Sequence, residues 1–356
     1  MRRFAASGWD VLWVEAVAMR SVAGAGRAEL RRVRAKLRSL GGLRCVEERL
    51  HVLRPLPIPP AGRAGRAMQT RVLRRQVMHS VRQLDLGLPA ITWFSVPVAA
   101  PLRGRVGDHA SVLYYQDRYD EFSHVDRSYL RQCLRSLAGG CDLAIASAEE
   151  LADDLRALGA NPVVVSHGVD VDRFSQPAPS PPQLEGFERP LIGCVGLIDD
   201  HLDMAAIRAV AGSMGRGTVV LVGDTNTGVA SLGHPRIRFV GRRPYAEMPA
   251  FMQAFDVCLV PFVHNRLTAG VNPIKLREYL AAGRPTVATA LPETEPYGDV
   301  VELVRDGDWP AAVARAVMED DERRRAQRRA RVAGESWDVT FDRVEGLVSP
   351  LLQRDR

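Results

Sequence analysis

Several features that would assign a sequence to a class at once are missing from this chain of 356 residues. No apolar run approaches the roughly 18–20 residues of a membrane span, and the first residues lack the apolar core of a signal peptide. The five cysteines form no CxxC pair, which favours buried free thiols in a reducing compartment. Motifs of serine hydrolases, zinc proteases and P-loop proteins are also absent. The sequence therefore predicts a cytoplasmic protein without a metal site or a resident cofactor.

Lysine is nearly absent as well, since only Lys36 and Lys275 occur among the 48 basic residues. The net charge of +6 is unevenly spread, because residues 1–84 contain 18 basic and only five acidic residues. Residues 30–40 and 67–84 carry apolar side chains at helical spacing among arginines, which predicts two basic helices. Such helices could bind an anionic membrane surface, although a codon bias towards arginine would give the same pattern. Few aromatic residues interleave these arginines, so no nucleic-acid partner is expected.

Strand-like and helix-like segments alternate through both halves of the chain, which is typical of doubly wound α/β proteins. In the second half the predicted strands are 191–197, 218–222, 237–240, 257–261 and 286–291. We predict two Rossmann-like domains that face each other across a cleft, where a ligand would bind. The predicted N-terminal domain spans residues 1–174, a proline-rich linker spans 175–190, and the C-terminal domain spans 191–334. Residues 335–356 are predicted to form a helix that returns to the N-terminal domain.

The most informative stretch is residues 264–293, which predict a loop, a short helix, a tight stop and a buried strand. Asn272 is a good N-cap, and Pro273 suits the first helical position because its missing N–H would be unpaired there in any case. Gly283 can adopt a left-handed conformation that ends the helix.

Lys275 and Glu278 lie near the start of this predicted helix, three residues apart and hence on one face. The first N–H groups of a helix attract anions, and the lysine adds a full positive charge. This arrangement suits a nucleotide, with its phosphates at the N–H groups and the lysine and its ribose hydroxyls at the carboxylate. The alternative is an ordinary surface pair of lysine and glutamate.

Polar segments that follow two predicted strands are the other candidates. Strand 110–115 opens into a segment that contains Asp117, Asp120 and His124, and ligands bind at such carboxyl ends in open α/β sheets. A solvated loop is the competing interpretation. The segment 199–203 contains three aspartates and a histidine that could bind a metal, but polar residues that cap a helix are the favoured interpretation.

Three signatures resemble those of a known family. Residues 166–170 with Phe174 are similar to its N/H-G-V-D…F element, and Gly241 with residues 245–261 is similar to its G…L…Y…AD-V-x-L-x-P block. Residues 273–287 match P-x-K-x-x-E-Y-L-A-A-G-x-P-x-V, the most specific of the three. The chain thus resembles GT-B glycosyltransferases of group 1, often called family 4, and especially bacterial transferases of the cell-surface polysaccharide or teichuronic-acid type.

The resemblance implies the GT-B fold and a hexosyltransferase activity. Such an enzyme moves a sugar from a nucleotide-diphosphate sugar, for example a UDP- or GDP-sugar, to an acceptor hydroxyl. The acceptor would be a glycan, a lipid-linked molecule or a natural product, as in the biosynthesis of cell-envelope polysaccharides. Family members usually need no metal and retain the anomeric configuration without an enzyme nucleophile. The enzyme would lie in the cytoplasm, peripherally at the inner face of the membrane.

The same resemblance assigns expected roles to residues of this chain. The donor nucleotide would contact Glu278, Lys275, Asn272, Pro273, Gly223, Arg242 and Arg266. The donor sugar and its loop would involve Gly196, Gly270 and Val271. The catalytic or acceptor-side candidates in the first domain are Asp117, Asp120 and His124.

Three departures from the family pattern leave alternatives open. Gly270 occupies the position of the first of two glutamates, and acids in residues 196–200 replace a basic pair, for which Arg242, Arg243 or Arg266 could compensate. The N-terminal domain is also predicted to lack its first strand, because the chain begins just before what resembles the second one. The alternatives are a catalytically degenerate subunit that binds a nucleotide or a partner, and a sugar-nucleotide 2-epimerase of the same fold.

Overall fold

The computed structural model describes residues 1–15, 42–56, 62–87, 90–123, 125–225 and 233–353. These residues form two compact units, which we call unit 1 (Met1–Val165 with Phe341–Arg356) and unit 2 (Ser166–Thr340). Strands alternate with helices in both units, as the sequence predicts. The α/β fold class with two Rossmann-like units is therefore confirmed.

The described residues of unit 1 form two sheets. In the first, β1 (Val11–Val14) runs parallel to β3 (Leu50–Leu53), and β2 (Leu43–Glu47) runs antiparallel on the other side of β3. The second sheet is parallel and contains, in spatial order, β4 (Ile91–Phe94), β5 (Ala110–Tyr115), β6 (Leu143–Ala146) and β7 (Val163–Val164). The described helices are α1 (Arg2–Ala6), α2 (Gly62–Gln83), α3 (Arg127–Ala138) and α4 (Glu149–Arg156).

The core of unit 1 lies on both faces of β5, whose β-branched and aromatic residues suit a strand that is buried on both sides. Leu113 and Tyr115 pack on the side of α3 and α4, and Val112 packs on the side of α1. Helix α2 corresponds to the second predicted basic helix, whereas the first, at residues 30–40, lies outside the described residues. The predicted loss of a strand before β1 stays a prediction.

Unit 2 contains one sheet of six parallel strands in the order β10-β9-β8-β11-β12-β13. Their bounds are β8 (Leu191–Val195), β9 (Thr218–Val222), β10 (Ile237–Gly241), β11 (Val257–Val260), β12 (Thr286–Thr289) and β13 (Glu302–Val304). The first five coincide closely with predicted strands, and β13 was not predicted.

Helices cover both faces of this sheet. Their bounds are α5 (Val171–Ser175), α6 (Met204–Ser213), α7 (Met248–Ala254), α8 (Arg266–Ala269), α9 (Ile274–Ala281), α10 (Trp309–Met318), α11 (Glu322–Val332) and α12 (Trp337–Val348), the last of which continues into unit 1. Successive residues of β9 alternate between the two cores: Val219 packs with α6 and α10, and Val220 packs with α7 and α9. This burial on both faces explains the continuous apolar runs that predicted the strands.

The unit boundaries differ from the predicted domain boundaries. Residues 166–174 and 335–340 belong to unit 2, because Val169 bridges Ser336 and the Trp337 N–H donates to the Val169 carbonyl oxygen. A Cβ atom on Gly168 would lie 2.6 Å from the Trp337 nitrogen, so this close crossing requires glycine. The proline-rich segment 175–190 packs within unit 2 through buried Leu184.

Two expectations from composition can be compared with the described residues. All five cysteines are free, and three of them, Cys133, Cys194 and Cys258, are buried. None of the described helices combines the length and the apolarity that crossing a membrane requires.

Candidate functional site

The carboxyl ends of the parallel strands of unit 2 all meet at one edge of its sheet. A glycine stands where each of three strands ends. Gly196 directly follows β8, Gly223 directly follows β9, and Gly241 is the last residue of β10. A Cβ atom on Gly223 would lie only 1.6 Å from the Gly196 carbonyl oxygen, and the Gly223 N–H donates to the Gly241 carbonyl oxygen at 3.0 Å. These loops pack backbone against backbone, so a ligand at this edge meets peptide groups rather than bulky side chains.

Helix α9 begins at the same edge, one residue later than predicted. Its N-cap is Pro273 and its first residue is Ile274, so the prediction that Asn272 caps the helix is wrong. The Asn272 side-chain oxygen instead accepts a hydrogen bond from Arg277 Nη1 at 2.8 Å, and its amide nitrogen donates to Glu293. Asn272 therefore fixes the loop before α9.

The predicted end of the helix is confirmed. Gly283 adopts a left-handed conformation with φ of +71°, directly after the C-cap residue Ala282. The Arg284 N–H then donates to the Tyr279 carbonyl oxygen. Helix α9 is thus short, and because no side chain of the described residues caps its start, its first N–H groups are left without a helical partner at this edge.

Lys275 and Glu278 contact each other as predicted. Lys275 Nζ donates to Glu278 Oε2 at 2.5 Å. The Glu278 side chain is only 2% exposed and that of Lys275 is 32% exposed, so this is no ordinary surface pair. The second carboxylate oxygen, Oε1, accepts a hydrogen bond from the Tyr245 hydroxyl at 3.0 Å. Because a carboxylate oxygen can accept two hydrogen bonds, each oxygen keeps one position for a ligand.

Tyr245 also contributes to the site, and no role was predicted for it. Its ring packs edge-on against buried Phe174, and the cations of Arg173 and Lys275 lie 5.4 Å and 5.7 Å from its centroid. Burial, together with the nearby charge of Glu278, raises the pKa of Tyr245, so its hydroxyl stays protonated and donates to the carboxylate. The sequence signal that could have identified Tyr245 is its position four residues after Gly241, within the second family signature.

The remaining predicted donor residues lie on loops at the same edge. Arg242 follows β10 and Arg266 begins α8, and both are exposed. Gly270 ends α8 and is buried, and the Val271 N–H donates to the Thr268 carbonyl oxygen at 3.1 Å. Among the described residues, the hydrogen-bond partners of the Glu278 carboxylate are Lys275 and Tyr245, so the structure brings neither arginine to it.

A buried ionic network stabilises the start of α9. Arg277 is 3% exposed, and its Nε donates to Glu335 Oε2 at 2.7 Å. The same oxygen accepts a hydrogen bond from the Tyr297 hydroxyl at 2.5 Å. Arg277 also contacts Asn272, so the loop that presents Lys275 is tied to the end of unit 2.

The three catalytic or acceptor-side candidates of unit 1 differ in their surroundings. Asp117 follows β5 and is half-buried, and His124 lies outside the described residues. Asp120 is buried and accepts a hydrogen bond from Arg131 Nε at 2.7 Å, which ties it to α3. Arg118, which was not predicted, is buried and pairs with Glu150 and Asp154 of α4.

The segment 199–203 contains both a helix cap and a cluster of possible metal ligands. Asp203 caps α6 by accepting a hydrogen bond from the Ala206 N–H at 2.9 Å, which agrees with the favoured interpretation. The ligand atoms of Asp199, Asp200 and His201 all lie within 4.8 Å of one another, but His201 Nδ1 is already 2.7 Å from Asp199 Oδ1. The expectation that the protein needs no metal stays a prediction.

Residues 189–319 match the family model described as glycosyl transferases group 1. The chain is 32% identical over 196 residues to TuaH of Bacillus subtilis, assigned by name to teichuronic acid biosynthesis as a glycosyltransferase, covering 51% of this chain and 49% of TuaH. It is also 32% identical over 246 residues to the 2-deoxystreptamine glucosyltransferase of Streptomyces kanamyceticus, covering 61% of each chain. The matched part of the chain thus spans 49% of TuaH and 61% of the glucosyltransferase.

Solved structures share the fold along nearly the whole chain. Sucrose-phosphate synthase of Thermosynechococcus elongatus matches with a TM-score of 0.67 at 14% identity, covering 97% of this chain and 99% of its own. HepE of Anabaena, solved with UDP and glucose, matches with a TM-score of 0.66 at 16% identity, covering 96% and 100%. The predicted resemblance to the group 1 glycosyltransferases and the GT-B fold are confirmed.

Proposed function

We propose that this chain, whose residues 189–319 match the group 1 glycosyltransferase model, transfers a sugar from a nucleotide-diphosphate sugar to an acceptor hydroxyl. The observation that carries the proposal is the buried Glu278 carboxylate beside Lys275 at the start of α9. A buried carboxylate with free acceptor positions suits the two hydroxyls of a ribose. A helix start with an adjacent lysine suits a diphosphate.

The roles of the residues follow from what each can contact. The first N–H groups of α9 and Lys275 would bind the diphosphate and stabilise the negative charge that develops as it leaves. Gly196 and Gly223 would let the diphosphate and the sugar approach the backbone of their loops. Tyr245 and Lys275 would hold Glu278 in position until the ribose binds.

The proposed chemical step uses only the two substrates and the residues of this chain. The acceptor oxygen forms a bond to the anomeric carbon as the bond from that carbon to the diphosphate oxygen breaks. The acceptor proton then moves to the departing diphosphate. We propose a reaction without a metal and with retention, and we assign no enzyme nucleophile. Arg242 and Arg266, which lie at the same edge, are proposed to contact the donor once it is bound.

UDP is the first nucleotide to test, because HepE was solved with UDP and glucose and shares this fold. We propose a glycan, a lipid-linked molecule or a natural product as the acceptor, since the two relatives are named for teichuronic acid biosynthesis and for 2-deoxystreptamine. A cytoplasmic position at an anionic membrane surface is also proposed. It rests on the 18 basic and five acidic residues of segment 1–84.

The test is the release of nucleotide from UDP-glucose, UDP-N-acetylglucosamine and GDP-mannose in the presence of a neutral or an acidic oligosaccharide acceptor. We expect release from one donor, and a loss of at least about tenfold in Glu278→Ala, because two charge-assisted hydrogen bonds to the ribose disappear. Glu302→Ala, which removes an exposed ion pair with Arg315, is the matched control and should keep the wild-type rate. Equal rates in all three proteins would contradict the assignment of Glu278.

A further inference from the structure

Unit 1 contains an open groove of about 1150 Å³ between α2, the 3₁₀ helix Pro97–Leu102 and α3. Its lining is strongly basic, because five arginines of α2 face it together with His79 and Arg105. The arginines of α2 that line the groove are Arg66, Arg71, Arg74, Arg75 and Arg82. No carboxylate is among the described residues that line it.

Most charges of this groove have no acidic partner among the described residues, in contrast to those of another arginine-rich helix of the same chain. Helices α2 and α11 contain six arginines each. In α11, five of the six pair with acidic side chains. Helix α2 contains no acidic residue, and among the described residues only Arg66 has an acidic partner, Asp126 at 2.7 Å. A codon bias explains arginine in both helices, but it does not explain why only α11 is neutralised.

The shape of the groove favours a long ligand over a single ion. The lining arginines run from Arg66 to Arg82, which corresponds to about 24 Å along a helix. Arg71, Arg75 and Arg82 are exposed, and at spacings of four and seven residues they lie about one and two turns apart along the helix. A row of cations in a concave surface matches a chain with repeated negative charges.

One end of the groove lies at the carboxyl edge of the parallel sheet of unit 1. Arg66 reaches Asp126, the N-cap of α3, and its guanidinium stacks over the Tyr129 ring at 4.4 Å. Asp126 belongs to the connection that follows β5, the same connection that contains Asp117. A chain held along α2 would thus end near the edge where we placed the acceptor-side candidate.

We propose that the groove binds an extended anionic glycan whose sugars carry carboxylate or phosphate groups, as the acceptor of the transfer. The proposal rests on the proposed glycosyltransferase function. A lipid bilayer fits less well, because it is flat and Met68 is the only large hydrophobic side chain of α2 that is well exposed. Nucleic acid fits less well too, because Tyr129 is the only tyrosine, tryptophan or phenylalanine among the described lining residues, and Arg66 covers its ring.

The experiment measures binding of fluorescently labelled oligogalacturonate, a glycan with one carboxylate per sugar, to the full chain at several salt concentrations. The test variant is the triple Arg71→Gln, Arg75→Gln, Arg82→Gln. The matched control replaces three exposed arginines outside the groove, Arg208, Arg323 and Arg343, by glutamine, which removes the same net charge. We expect the groove variant to bind at least about tenfold more weakly and with a shallower salt dependence, and the control to bind within about twofold of wild type.

Three results would overturn the proposal. The first is equal loss in the groove and control variants, which would indicate a non-specific effect of net charge. The second is unchanged binding of oligogalacturonate in the groove variant. The third is loss of binding to phosphatidylglycerol vesicles or single-stranded RNA in the groove variant with no loss for oligogalacturonate, since the groove would then serve a different partner. Neutral dextran should not bind any of the proteins.

A nucleotide measurement separates this proposal from the function on which it rests. The groove variant should keep the wild-type thermal shift with UDP, because all three substitutions lie in unit 1 and the donor site lies in unit 2. A retained UDP shift with lost glycan binding supports both proposals. Glycan binding without any nucleotide shift in wild type would contradict the donor site and leave the groove assigned.

Discussion

His167, in the first family signature, should make the folding stability of unit 2 depend on pH. Its ring lies 6.0 Å from that of Trp337, and its backbone N–H donates to the Asn272 side-chain oxygen at 3.4 Å. Burial and, to a lesser extent, the charge of Arg277 lower the pKa of His167 from 6.5 to about 4. The folded protein therefore holds a neutral imidazole over a range in which the unfolded chain binds a proton.

The sign of the effect follows from this difference. Above pH 6.5 the imidazole is neutral in both states, and the stabilisation is fully present. As the pH falls from 6.5 to 4, the unfolded state gains a proton and the folded state does not, so stability is lost. A full shift of this size corresponds to about 3 kcal/mol, and at pH 5 the expected loss is about 1–2 kcal/mol because the titration is incomplete and the side chain keeps some exposure.

The assay is urea unfolding of wild type and His167→Gln at pH 7.5, 6.5, 5.5 and 5.0. The glutamine variant cannot take up the proton, so wild type should lose about 1–2 kcal/mol more than the variant between pH 7.5 and 5.0. His264→Gln, at an exposed position, is the control and should follow wild type. Parallel pH profiles of wild type and His167→Gln would refute the reasoning.

Two further predictions concern the loops that form the candidate site. Gly223→Ala should destabilise the protein by more than about 2 kcal/mol because its Cβ would overlap the Gly196 carbonyl oxygen, whereas Gly212→Ala, in open space on α6, should change the unfolding free energy by less than about 1 kcal/mol; urea unfolding of both decides. Arg277→Met should cost about 2–4 kcal/mol because it breaks a buried ion pair, and Arg315→Met, at an exposed pair, less than about 1 kcal/mol; equal melting temperatures for these two variants would contradict the account.

The sheet of unit 2 was predictable because its strands carry a strong local signal. Thr218–Val222 is apolar, β-branched and followed by glycine, and it forms β9 with the predicted bounds. The short strand β13, Glu302–Val304, has only one buried residue and pairs with the sheet only through β12. Its strand conformation comes from that neighbour, and no run within its own sequence signals it.

The site was predictable where residues contact each other along one helix. The contact between Lys275 and Glu278 needs only the helical repeat, and it was predicted. The hydrogen bond from Tyr245 to Glu278 joins residues 33 positions apart, and no local pattern encodes it. Asn272 has the composition of an N-cap, but the buried Arg277 takes its side-chain oxygen, so a tertiary contact overrides the local preference.

The central claim is that a nucleotide binds at the start of α9 through Glu278. A thermal-shift titration with UDP, GDP, ADP and dTDP, on wild type, Glu278→Ala and the control Glu302→Ala, tests it most directly. A nucleotide at 100 times its dissociation constant stabilises the folded state by about 2.7 kcal/mol. We expect a clear rise in melting temperature with one nucleotide in wild type and in the control, and no rise in Glu278→Ala. A shift of equal size in Glu278→Ala, or no shift with any nucleotide in wild type, would contradict it.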